Sequence, residues 1–203
     1  MTVVFGGTFD PVHNGHMHAA RMAAQACDSQ VTMVLSARPG HRTPPSASIA
    51  DRWAMLAAAC ADDPALAPSD IEVRRPGPSY AVDTLRALGA TRADPVIWVI
   101  GADAIASIDD WHQHDTLAEL CSFLVLDRPG PEGANVSSPA GFEPVSCPAG
   151  LREVSGSVFV LRQAMLDVSA TAIRADLAAG RDVSGLLPVG VWTYIRQRGL
   201  YRN

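Results

Sequence analysis

The chain has 203 residues, 48% apolar and 18% charged, a balance that suits about one globular domain with a single core. Its formal net charge of −5 speaks against a nucleic-acid coat, which wants a basic excess. All 16 basic residues are arginine, which excludes a Walker A lysine, a Schiff-base lysine and pyridoxal-phosphate chemistry.

In chain order, residues 2–5 read as a strand, 15–27 as an amphipathic helix, 31–35 as a second strand and 49–61 as a second helix. Residues 71–74 then alternate like a strand and 81–88 read as a helix. Next come a strand at 96–100, a helix at 116–121 and a strand at 123–126. The last elements are a strand at 158–161 and helices at 171–179 and 189–198. Several of these strands are continuous apolar runs, as strands covered on both faces are. The alternation predicts an α/β fold, a doubly wound, mostly parallel sheet with helices on both faces, in one domain over residues 1–203. Residues 128–156, rich in Pro, Gly and Ser, are expected to form a long surface loop more mobile than the core. Residues 36–48 form a second loop, at the sheet edge where ligands of open α/β sheets bind.

Cys27, Cys60, Cys121 and Cys147 have no Cys-x-x-Cys spacing, and three of them lie in apolar surroundings. They suggest small buried hydrophobes rather than a disulfide framework or zinc ribbon. No leader and no run of ~18 apolar residues is present, so no membrane is expected and a cytoplasmic setting is.

The most informative stretch is Gly6-Gly7-Thr8-Phe9-Asp10-Pro11-Val12-His13-Asn14-Gly15-His16. It joins the first strand to the first helix. A Gly-rich turn at a helix start is a phosphate site, because the free N–H groups and the helix dipole point at an anion there. His13 and His16, three residues apart, can face the same way. A His-x-x-His pair alone is as often solvated surface. The whole ordered string resembles the signature of the HxGH nucleotidyltransferases.

Three further constellations accompany it. Ser169-Ala170-Thr171-Ala172-Ile173-Arg174 reads as a helix start, with Ser169 as cap, Thr171 in the first turn and Arg174 one turn in, offering a planar fork to phosphate oxygens. Ile100-Gly101-Ala102-Asp103 ends a strand; Asp103 could cap the next helix or bond a ribose, and Trp111, among polar neighbours, could stack on a flat ring. Pro78-Ser79-Tyr80-Ala81-Val82-Asp83-Thr84-Leu85 opens a helix after a turn.

Taken with the terminal Leu187-Pro188, Tyr194-Ile195 and Gly199-Leu200-Tyr201, this set resembles the bacterial nicotinate mononucleotide adenylyltransferase family from Phe5 to Arg202, fading between Gly130 and Gly156. Glycerol-phosphate and choline-phosphate cytidylyltransferases share the first motif but carry an Arg-Thr-x-Gly-Ile-Ser-Thr end that this chain lacks. Phosphopantetheine adenylyltransferases are shorter and usually have Thr where His13 stands.

The resemblance implies a Rossmann-like fold and transfer of AMP from ATP, with Mg²⁺ on its phosphates, to nicotinate mononucleotide. It also implies residue roles. His13 and His16 contact the ATP phosphates, and Ser169, Thr171 and Arg174 hold the β and γ phosphates. Gly6, Gly7, Thr8 and Phe9 line the two clefts, Gly101 passes adenosine and Asp103 meets its ribose. Trp111 stacks on the nicotinate ring, with His112, Ser79, Tyr80 and Thr84 on the substrate side and Arg42 near the mononucleotide phosphate. Two departures stand out. Gly40 replaces a proline of the family and loosens its loop. Ala81 replaces a threonine whose hydroxyl lies near the nicotinate carboxylate, and losing such a bond costs about 0.5–1.5 kcal/mol.

Other readings stay open on the residues alone. His13, His16, His18, His41, His112 and His114 could build a zinc hydrolase site, although neither His-x-His pair comes with a suitable acid motif. A non-catalytic nucleotide-binding regulator is another. A dehydrogenase is excluded for want of Gly-x-Gly-x-x-Gly. A homo-oligomer is compatible with the sequence but not indicated by it.

Overall fold

The computed structural model describes residues 2–40, 44–127, 137–163 and 165–202. Val3–Gly7 (β1) leads through the glycine turn to Asn14–Cys27 (α1), Val31–Leu35 (β2) and Ile49–Cys60 (α2). Leu66–Ser69 (β3), Ile71–Arg74 (α3) and Ala81–Ala87 (α4) follow. The middle holds Val96–Gly101 (β4), Ala102–Ile105 (α5), His114–Leu120 (α6) and Cys121–Asp127 (β5). Glu143–Pro144 (β6), Ser157–Arg162 (β7), Ala170–Ala178 (α7) and Val189–Arg198 (α8) complete the chain.

The strands form one sheet in the order β3-β2-β1-β4-β5-β7-β6, and every pairing is parallel. The chain winds outward from β1 to β2 and β3, then returns to β4 and winds the other way. Between β1 and β4 the direction reverses, and the crevice at their carboxyl ends is where such sheets bind ligands.

Neighbouring residues of each strand face opposite ways, so each central strand feeds two cores. Val3, Met33, Ile97 and Leu124 pack with Met17 of α1, Leu56 of α2, Ile173 of α7 and Ile195 of α8. Val4, Val34, Trp98 and Phe123 pack with Leu85 of α4, Ile105 of α5 and Leu117 of α6. Helices therefore cover both faces, and the Rossmann-like expectation holds. Among the described residues no helix is long and apolar enough to cross a membrane.

Two expectations are corrected. Residues 71–74 are helix α3, not a strand: the Arg74 amide donates to the Asp70 carbonyl at 3.1 Å, and Glu72, which a strand would turn outward, is buried. Four residues are too few to separate a period of 2 from one of 3.6. The strand is instead β3, whose Leu-Ala-Pro-Ser sequence carries no β-signal; its proline is tolerated because β3 is an edge strand. The described part of the expected loop, residues 137–156, is also folded. Glu143 and Pro144 pair with β7, Pro148–Arg152 form a 3-10 turn, and Phe142 and Leu151 are buried. Phe142 stacks on Phe123 at 4.6 Å. Residues 128–136 lie outside the described part.

Candidate active site

The glycine pair at the end of β1 is demanded by what packs on it. A Cβ on Gly7 would stand 2.6 Å from the Phe9 ring, and one on Gly6 would stand 3.0 Å from the Trp98 ring. Phe9 folds back under the turn in a left-handed conformation, φ 48°, and is 2% exposed. The Asp10–Pro11 peptide is cis. The turn ends at His13, the N-cap of α1.

His13 and His16 cap each other. The His16 amide donates to His13 Nδ1 and the His13 amide donates to His16 Nδ1, both at 3.3 Å. This is a capping box built from two imidazoles in place of hydroxyl and carboxylate. Since each Nδ1 accepts, each neutral ring carries its proton on Nε2, a tautomer assigned from the bonding pattern. The rings stack at 3.7 Å, tilted by 25°, and Phe9 meets His16 edge-on at 5.1 Å. Burial lowers the His13 pKa to about 4. Burial first, and then the charge of His13, hold His16 well below the usual histidine range. The site therefore presents two neutral N–H donors at a helix start.

The second motif meets the first. Ser169 caps α7, accepting from the Ala172 amide at 3.5 Å. Arg174 Nη1 donates to the Asp10 carbonyl at 2.7 Å, and Nη2 to Thr171 Oγ1 at 3.4 Å. A Cβ on Gly15 would lie 3.4 Å from Val168 Cβ, so the starts of α1 and α7 are neighbours.

Beneath them lies Arg52, the largest fully buried side chain among the described residues. Its guanidinium donates to the carbonyls of Thr8, Ser36, Ala37 and Ala47, clamping the glycine turn to the loop after β2. The Asp10 carboxylate accepts from the amides of Ser46 and Ala47 and from the Tyr201 hydroxyl. Arg52 belongs to none of the motifs in the sequence, and Asp10 and Tyr201 lie within two of them without a role that the sequence assigns. The available signal was Arg52 itself, a charge on the apolar stripe of the 49–61 helical pattern.

A cavity of ≈ 230 Å³ opens at the β1/β4 crevice. Gly6, Gly7, Thr8, Ser79, Gly101 and Trp111, all expected site residues, line it, with Trp98, Ala81 and Glu72. Tyr80 flanks the same region, stacked on His112 at 4.2 Å. Asp103 is exposed in the first turn of α5, whose N-cap is Gly101, so it does not cap that helix. Thr84 is fully buried, its hydroxyl donating to Glu72 and accepting from Arg75, which sets it behind the cavity wall rather than on it. Glu72 keeps a second carboxyl oxygen buried and without a protein partner. Arg42 and His41 lie outside the described residues. Among the described residues no three His, Cys, Asp or Glu side chains are placed to hold a metal ion.

The profile of the cytidylyltransferase-like family matches residues 4–176, a span that holds the glycine turn, both histidines, the cavity and Arg174. Fold and site thus define a nucleotidyltransferase of that class. A protein of Gloeobacter violaceus named "Probable nicotinate-nucleotide adenylyltransferase" is 40% identical over 203 residues, covering 98% of this chain and 94% of its own. One of the same name from Marinobacter nauticus is 40% identical over 208 residues, covering 99% and 96%. Within the class, this chain belongs to the nicotinate-nucleotide adenylyltransferase family. The structure of Plasmodium falciparum nicotinic acid mononucleotide adenylyltransferase complexed with NaAD shares its fold, with a TM-score of 0.68 at 16% identity over 98% of this chain and 96% of that one.

Proposed function

We propose that this chain transfers the adenylyl group of ATP to nicotinate mononucleotide, giving nicotinate adenine dinucleotide (deamido-NAD) and pyrophosphate. A phosphate oxygen of the mononucleotide attacks the α-phosphorus, a new P–O bond forms, and the bond to pyrophosphate breaks. The attacking phosphate has a second pKa of about 6 and is already anionic near neutrality, so no general base is needed. The obstacle is the meeting of two anions, which calls for positioning and preorganised charge.

The observation that carries this reading is the bond from Arg174 to the Asp10 carbonyl, through which the second motif closes on the first. In this reading His16 donates Nε2–H to the α-phosphate and His13 to its neighbour. Hydrogen bonds from these N–H groups to phosphate oxygens strengthen as charge builds on the transferring phosphate. Arg174, with Ser169 and Thr171, holds the β and γ phosphates. Asp103 and Gly101 serve the adenosine, and Trp111 serves the nicotinate ring against Ser79, Tyr80 and His112. The Asp10 carboxylate accepts three hydrogen bonds from the chain. Mg²⁺ would be held by the triphosphate oxygens as part of the substrate, where it would offset their negative charge. The buried thiols of Cys27, Cys60 and Cys121 suit a reducing, cytoplasmic setting.

The test is a substrate panel that follows pyrophosphate with ATP and, separately, nicotinate mononucleotide, nicotinamide mononucleotide, glycerol 3-phosphate and phosphopantetheine. Release that requires both ATP and nicotinate mononucleotide is expected. Release with ATP alone, or only with one of the last two acceptors, would overturn the reading.

A further inference from the structure

We propose that Tyr201 and the Asp10 carboxylate are positioning residues for adenylyl transfer: together they hold the main-chain carbonyl on which Arg174 rests, and so set where its guanidinium meets the triphosphate. The inference builds on the function proposed above.

Asp10 is 6% exposed and its oxygens are filled from three directions. Oδ1 accepts the Tyr201 hydroxyl at 2.7 Å and the Ala47 amide at 3.1 Å, and Oδ2 accepts the Ser46 amide at 2.7 Å. Three of the roughly four acceptor sites of the carboxylate are thus taken by the chain itself, and Asp10 is not part of the cavity wall. What it can do is fix its own peptide group, whose carbonyl takes Arg174 Nη1 at 2.7 Å. Arg174 Nη1 stands 4.0 Å from Asp10 Oδ2, so carboxylate and carbonyl orient the same guanidinium. Two N–H groups of the fork are thereby spent on the protein, one on the Asp10 carbonyl and one on the Thr171 hydroxyl, and the remaining three keep a fixed bearing for phosphate oxygens.

Tyr201 arrives from 191 residues away, and its approach is built rather than incidental. Its backbone sits at φ 62°, a left-handed conformation unusual for a bulky residue, held only where surroundings determine it. The preceding helix, α8, is tied to α2 by the Tyr194 hydroxyl and Arg198, both bonded to Asp51, and α2 carries Arg52 into the glycine turn. The C-terminal turn and α2 thus grip the Asp10 loop from two sides. A ring serving only the core would need no hydroxyl on the carboxylate.

Tyr201→Phe removes that hydroxyl and little else. Because a small misplacement of a positioning group is expensive in rate, kcat is expected to fall about tenfold, with the KM for nicotinate mononucleotide unchanged. In an Arg174→Ala background the same change is expected to alter kcat less than about twofold, since the group it positions is gone. Equal losses in both backgrounds, or no loss in the parent, would overturn the inference in favour of a merely structural tyrosine. If Tyr201→Phe does not fold, Asp10→Asn is put through the same cycle with the same expectation and the same overturning result. A parent enzyme that releases no pyrophosphate from ATP and nicotinate mononucleotide would instead count against the functional reading. The cycle is then read on ATP affinity by calorimetry, where the same non-additivity is expected and additive losses overturn the inference.

Discussion

The imidazoles of His13 and His16 exchange hydrogen bonds with each other's backbone, each Nδ1 accepting the other residue's amide at 3.3 Å. One arrangement thus closes the first turn of α1, sets both tautomers and leaves two Nε2–H groups to donate. The same contact makes protonation unfavourable, because a proton on either Nδ1 breaks the cap.

His16→Ala is expected to lower kcat by about 10²-fold or more, as loss of a donor to a developing charge does, while the KM for ATP rises far less. Steady-state kinetics over a range of ATP concentrations decide this. A loss confined to ATP binding would argue that the imidazole acts equally on ground and transition states. The missing half of the capping box is expected to lower stability by about 1 kcal/mol, visible in the melting temperature.

Stability is expected to fall on mild acidification. The folded pKa of His13, about 4, lies below its ordinary 6.5, so as pH falls the unfolded chain takes up the proton first. The stabilising contribution is complete above about 6.5 and shrinks as pH drops towards 4, by up to about 1.4 kcal/mol per pH unit. His16 acts in the same direction. Denaturant melts at pH 7 and pH 5 measure the difference, and His13→Gln is expected to flatten it.

Arg52→Met leaves the carbonyls of Thr8, Ser36, Ala37 and Ala47 without their shared donor in a buried setting. A loss of roughly 3–5 kcal/mol is expected. Arg52→Lys is expected to recover little of it, since an ammonium cannot reproduce the planar fork. Urea unfolding of the two variants provides the comparison.

Gly7→Ala puts a methyl 2.6 Å from the Phe9 ring. The ring is buried, so overpacking is expected to cost about 1–3 kcal/mol and to shift His16, against which Phe9 packs. Thermal melts and kcat are expected to fall together. An active variant of unchanged stability would mean that the turn has slack that the packing does not indicate.

Ala81→Thr adds a hydroxyl to the wall that carries Ser79 and Trp111. A single new neutral hydrogen bond is worth about 0.5–1.5 kcal/mol, so the KM for nicotinate mononucleotide is expected to drop severalfold. The KM for ATP is expected to stay where it is. Parallel titrations of the two substrates distinguish this from a general change in activity.

The strand, glycine turn and helix at the start of the chain were legible because each signal there acts over three or four residues. Ser169 was readable as a cap for the same reason. Ile71–Arg74 was misread because a four-residue alternation fits two periods, and Leu66–Ser69 was missed because an edge strand needs neither β-branched residues nor an unbroken set of amides. Phe142 and Leu151 were hidden in Pro- and Gly-rich surroundings, where two buried side chains suffice to anchor a segment that has no periodicity. Thr84 was expected on the substrate side, but its hydroxyl is used by Glu72 and Arg75, partners that no spacing rule connects to it.

By itself the sequence determined the α/β class, the helix start after the glycine turn and the paired histidines, because backbone caps and apolar periodicity are local effects. Only the tertiary structure decided that Arg174 rests on Asp10 from 164 residues away, that Tyr201 closes on the same carboxylate, and that Arg52 is core rather than surface. Those contacts depend on how the sheet reverses between β1 and β4, and burial around that reversal turns separate polar groups into one bonded cluster.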